Sequence, residues 1–137
     1  MAVVACSNDS EVGHSIGELV RARHATELRL ADATKFDWEQ VYIFAPYTPR
    51  TAVCDTLRIQ VKYCARLIPF ESTDDGEMSL AFLERGRLVH YARHSRFNGD
   101  FTPVPAKQPL LRTNAVFQVV PDDTASDGRT WFKLVAK

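Results

Sequence analysis

The sequence predicts one α+β domain: a single antiparallel sheet of about five to six strands, with two short helices packed on one face. Three features carry that expectation. The chain has 137 residues, 45% apolar and 25% charged, which suits one buried core rather than two. Val41 to Ala45 is an uninterrupted apolar, β-rich run closed by Pro46, the pattern of a strand covered on both sides. Met78 to Arg93 alternates about a central Arg85-Gly86 pair, the pattern of a β-hairpin. No segment repeats and no linker divides the chain. Residues 15–137 therefore form the domain, and residues 1–14 read as a signal remnant and polar tether.

Ser15, with Glu18 three residues on, makes a capping box, and Ile16, Leu19 and Val20 at helical spacing carry a short helix to Ala25. From Thr26 to Ala31, Leu28 and Leu30 alternate with charged residues as in a half-buried strand, and Asp32 to Lys35 turns the chain. After the Val41–Ala45 strand, Thr48 stands as an N-cap with Pro49 at the first helical position, and Val53 and Leu57 share one face of a helix to about Arg58. Ile59 to Leu67 mixes apolar and basic residues without a clean period and is assigned to neither class.

The hairpin strands, Met78–Glu84 and Arg87–Arg93, pair outward from the turn: Glu84 with Arg87, Leu83 with Leu88, Phe82 with Val89, Leu80 with Tyr91. That register gathers Met78, Leu80, Phe82, Val89 and Tyr91 on a packing face. It puts Ser79, Ala81, His90, Ala92 and His94 on the other. Pro103, Pro105 and Pro109 make Phe97 to Thr113 a long loop. Ala115–Val120 and Thr130–Val135 supply two further strands, joined by the polar segment Pro121–Arg129.

Seventeen basic residues balance seventeen acidic ones, so the broad positive field of a nucleic-acid binder is missing. No run of eighteen apolar residues offers a membrane-spanning helix. Chemistry-bearing motifs are equally scarce. His90 and His94 are four apart, which in a strand separates them by roughly 13 Å along one face, too far to chelate one metal ion. HExxH, CxxC, GxSxG and glycine-rich phosphate loops are all missing, so neither catalysis nor a cofactor or metal is expected. The acidic run from Asp122 to Gly128 places Ala125 and Leu134 where a calcium loop needs oxygen ligands, and reads as a hairpin loop.

Two places remain where a ligand or partner surface is expected. Arg87, His90, Arg93, His94 and Arg96 concentrate positive charge on one strand, either as a solvated, protected sheet edge or as a surface for an anionic partner. The Pro46–Pro49 corner, with Tyr47 and Thr48, sets the end of a central strand against a helix N-terminus, where free N–H groups collect. A small enzyme site where Tyr47, His90 and Arg93 converge is the catalytic alternative.

Val3, Val4 and Ala5 before Cys6, followed by the polar Ser7 to Gly13, resemble the lipobox of a bacterial lipoprotein. The resemblance implies acylation of Cys6 and a bacterial cell-envelope domain facing the periplasm or exterior, held to the membrane by the lipid anchor only. Only five residues precede Cys6, so a complete signal would extend upstream of Met1. With Cys6 so assigned, Cys54 and Cys64 are left as an even pair: a disulfide in an oxidising compartment, or two buried thiols in a cytosolic partner-binding protein. The string Phe36 to Pro49, with Trp38-Glu39, Val41-Tyr42-Ile43-Phe44 and Pro46-Tyr47-Thr48, is similar to small bacterial secreted or lipid-anchored proteins of unknown activity. The expectation for function is a non-catalytic envelope lipoprotein that binds a protein or small molecule.

Overall fold

Ser10 opens the first helix by accepting a hydrogen bond from the Gly13 N–H, and it ties that cap to the sheet by donating to the Arg93 carbonyl at 2.6 Å. Helix α1 runs over Glu11–Gly17 and continues as a π-turn over Glu18–Ala22. The start expected at Ser15 is thus too late. Residues 11–14, read as tether, are helical, and Val12 is buried. The computed structural model describes residues 10–105, 108–122 and 130–137. Cys6 and the acidic run that was weighed as a calcium loop lie outside the described residues, the latter except for Asp122.

Eight strands follow: β1 (Glu27–Arg29), β2 (Gln40–Phe44), β3 (Glu77–Glu84), β4 (Arg87–Ser95), β5 (Asp100–Phe101), β6 (Leu110–Leu111), β7 (Val116–Asp122) and β8 (Trp131–Ala136). They form two four-stranded sheets, ordered β1-β7-β8-β5 and β4-β3-β2-β6. This overturns the expected single sheet of five to six strands. The strands β1, β7 and β8 pair as one run and β4, β3 and β2 as another, with no pairing between the two runs; the proline-rich segment 97–113, expected to be all loop, holds β5 and β6, which add one edge strand to each sheet. One pairing is parallel, β5 with β8.

The helices are three rather than two and do not share a face. Helices α2 (Arg50–Leu57) and α3 (Val61–Leu67) pack on the outer face of the second sheet, and α1 closes the space between the sheets. The inner cluster joins Val12, Ile16 and Val20 of α1, Leu28, Phe117 and Leu134 of the first sheet, and Val41, Leu80 and Phe82 of the second. The outer cluster joins Phe44, Ala81 and Leu83 to Val53, Leu57, Cys64 and Ile68. Strand β2 therefore sits between two apolar layers, as its continuous apolar run predicts.

The hairpin carries the most instructive correction. Glu84 faces Arg87 and Leu83 faces Leu88, but a bulge at Phe82/Leu83 makes His90, not Val89, the partner of Phe82, and Ala92, not Tyr91, the partner of Leu80. One extra residue reverses the faces of everything beyond it. Val89 becomes exposed, and His90, Ala92 and His94 turn toward the inner cluster. Tyr91 moves to the other face, its ring tilted against Phe70 with centroids 4.6 Å apart.

Candidate functional site

The sequence-predicted polar residues are dispersed by this fold. His94 is fully buried; its Nε2 donates to the Gly99 carbonyl at 2.6 Å, and its ring lies 5.1 Å from Phe101. His90 packs between Phe36 and Phe82 beside Glu11 and Lys35, and burial lowers its pKa, with Glu11 opposing. Arg93 lies on the opposite face, over Phe70 at 4.2 Å and paired with Glu77 at 3.2 Å. His90 and Arg93 therefore cannot converge with Tyr47 on one substrate, which removes the catalytic alternative built on those three. Arg96 forks onto Asp100 with two 2.9 Å bonds, and Trp131 Nε1 donates to the same carboxylate at 3.1 Å. Burial works to raise the Asp100 carboxyl, but the Arg96 and Trp131 hydrogen bonds and the nearby positive charge hold it below the usual carboxylate range. Arg96, in turn, is raised by its bond to Asp100. β4 is an edge strand, and Arg93 on it and Arg96 just beyond it are each engaged with a carboxylate, while Arg87 at the hairpin turn is exposed.

The strand-to-helix corner is filled in the same manner. Tyr47 takes a left-handed conformation at φ 66°, and its N–H donates to the buried Ser72 hydroxyl at 3.0 Å. Thr48 does not cap α2; its hydroxyl donates back to the Ala45 carbonyl at 2.7 Å. The cap position falls on Pro49, which has no side-chain acceptor, and Glu71 supplies one from the following loop, accepting from the Arg50 N–H at 2.6 Å. The N–H groups expected to make an anion site at this corner are thus occupied by the protein's own carboxylate and hydroxyl.

Immediately beside the corner a cavity of about 340 Å³ opens between β2 and α2. Tyr42, Ile43, Phe44 and Ala45 form one wall, Ala52 and Thr56 of α2 a second, and Val104, Pro105 and Gln108 a third; Thr48 closes the corner. Its position follows from strand lengths. The two-residue strand β6 covers only Gln40 and Val41 of β2, so among the described residues the β2 edge from Tyr42 onward has no strand partner. The described lining consists of apolar side chains, main chain and the neutral polar groups of Tyr42, Thr48, Thr56 and Gln108, with no charged residue among the described residues. Such a chamber accepts an uncharged, largely apolar molecule and offers it hydrogen bonds at the rim and along an open strand edge.

Of the sequence candidates only Thr48 lines this cavity. Tyr47 projects outward, 60% exposed. Tyr42 and Phe44, stacked at 6.2 Å, belong to the run read as a strand covered on both sides, but nothing in the sequence marked Val104, Pro105 and Gln108 as their neighbours. Cys54 of α2 and Cys64 of α3 are joined by a disulfide, with Cα atoms 5.9 Å apart. Among the described residues no group of three or more His, Cys, Asp or Glu gathers as metal ligands would. Among those residues no helix is long and apolar enough to cross a membrane. Comparison with protein-family models, curated proteins and solved structures finds no match.

Proposed function

We propose that this is a non-catalytic, extracytoplasmic binding protein that takes a small, uncharged, mainly apolar molecule into the cavity between β2 and α2. The observation that carries the reading is the lining itself: about 340 Å³ bounded by Tyr42, Phe44, Ala52, Val104 and their neighbours, with no carboxylate, imidazole, thiol or cation among the described lining residues. The Cys54–Cys64 bridge supports an oxidising compartment, and with the lipobox-like segment ending at Cys6 it favours the bacterial envelope over the cytosolic alternative, which needs both thiols free.

Titration with N-phenylnaphthylamine, an uncharged apolar fluorophore, tests the binding reading. Saturable enhancement is expected, with weaker enhancement from the charged anilinonaphthalenesulfonate. Ala52→Phe, which fills the cavity from α2, should lower the affinity at least about tenfold while the thermal transition is kept. Equal affinity in the filled variant would place the probe elsewhere and overturn the assignment. Fractionation of the native product tests the anchor separately: an entirely soluble product with unmodified Cys6 removes the lipid and leaves the cavity reading intact.

A further inference from the structure

Helix α3 is nearly bare. Six of its seven residues are exposed, only Cys64 is buried, and the exposed set includes Val61 at 91%, Tyr63 at 40% and Leu67 at 37%. A helix this short does not persist in water by its own hydrogen bonds. The disulfide to α2 and the buried Ile68 just beyond its end hold it in place. The protein therefore displays a short apolar and basic helix that its core hardly uses.

Charge on this segment is one-sided. From Thr56 to Phe70 the chain carries Arg58, Lys62 and Arg66 and no acidic residue, although the whole protein is neutral. The flanking carboxylates are Asp55 on α2 and Glu71, and Glu71 is engaged in capping α2. All three cations are exposed, and none makes an ion pair among the described residues. Lys62 and Arg66 instead bracket the Tyr63 ring, at 5.1 and 5.2 Å. By contrast, two arginines of the β4 end of the fold are paired, Arg93 with Glu77 and Arg96 with Asp100.

We propose that α3 is a peripheral membrane-contact surface, with Arg58, Lys62 and Arg66 meeting the phosphates of an anionic bilayer and Tyr63, Val61 and Leu67 entering its interfacial layer. Long basic side chains lay their apolar stems along such a surface with the charge at headgroup level, where tyrosine also settles. Area favours a bilayer over a protein partner. A seven-residue helix is about 10 Å long, and it presents far less than the roughly 800 Å² per side of a stable protein interface. A bilayer asks for no shape match, and each basic residue near it strengthens binding by about fivefold. Contact of this strength is marginal and reversible alone, the regime in which it adds to another membrane signal. The surface itself does not depend on acylation at Cys6 or on a ligand in the cavity.

The test uses the full chain carrying Cys6→Ser, so that no acyl group contributes, with vesicles of phosphatidylcholine alone and of phosphatidylcholine mixed equally with phosphatidylglycerol. Co-sedimentation is expected only with the mixed vesicles and should fall steeply with added salt. Lys62→Ala with Arg66→Ala, both at exposed positions, should weaken partitioning by about 25-fold. Tyr63→Ser should weaken it further, and an intact disulfide in each variant verifies that α3 is still held. Equal binding to both vesicle types, or unchanged partitioning of the double variant, overturns the proposal. So does failure on both vesicles together with binding of poly-glutamate that the double variant loses, which would assign α3 to an acidic protein instead.

Discussion

The inner face of the β4-β3-β2-β6 sheet is covered by a second sheet and α1, whereas its outer face is covered by two short helices joined through a disulfide. Inside, large side chains interlock: Phe82 is fully buried with Phe36 and Trp38 edge-on at 5.1 and 5.0 Å, and Phe101 meets Phe117 at 4.9 Å. Outside, the cluster is smaller and includes both cysteines, and a cavity and a nearly bare helix lie next to it. The inner layer is stabilised by the burial of large interlocking side chains. The outer layer combines a smaller buried cluster with a covalent link, and beside it lie a cavity and an exposed helix.

This contrast can be broken from either side. Phe82→Ala removes the aromatic at the centre of the inner cluster and should cost about 4 kcal/mol, read as a lowered denaturation midpoint. Loss should be global, because both sheets and α1 meet there. Cys54→Ser with Cys64→Ser opens a link between residues ten apart in sequence and should cost about 3 kcal/mol. Its effect should be local: hydrogen exchange in α2 and α3 accelerates while β3 amides keep their protection. If β3 exchanges as fast as α3 in the double variant, the outer layer is not a separable unit and the comparison fails.

The sequence revealed the inner layer better than the outer one, for physical reasons. Val41–Ala45 and the Arg85-Gly86 turn express local rules, alternation and left-handed turn geometry, and both φ values at that turn are positive as such a turn needs. The bulge at Phe82/Leu83 has no local mark, and it alone moved His90 and His94 from an expected surface to the inner side. The split into two sheets has no local mark either, because which strands pair is decided by distant partners rather than by each strand's composition, and β5 and β6, two residues each, are too short to show a strand pattern. Helix α3 lacked a period because only one of its residues is buried. Its ambiguity in sequence and its bareness in the fold have the same cause. The cavity was legible only through Thr48, since its third wall comes from a proline-bearing segment some sixty residues away in the chain.

Charge sharpens the comparison further. Arg96 is fixed by the buried Asp100 and by Trp131's shared bond to it, while on the outer side Arg58, Lys62 and Arg66 have no acidic partner among the described residues. Asp100→Asn should therefore destabilise the protein near neutral pH, by about 2 kcal/mol once the partial exposure of Arg96 is allowed for, whereas Lys62→Ala should be close to neutral for folding. The pH dependence separates a working ion pair from simple packing. The Asp100 carboxyl titrates below its ordinary value near 3.8 in the folded protein, so the unfolded chain binds the proton first as pH falls. Its stabilisation is complete above that ordinary value and disappears as pH drops through the lower, folded one. The Asn variant lacks this step. Denaturant midpoints of the two proteins should differ most near neutral pH and converge in acid, and a gap that stays constant down to the acid limit would show that Asp100 contributes through packing alone.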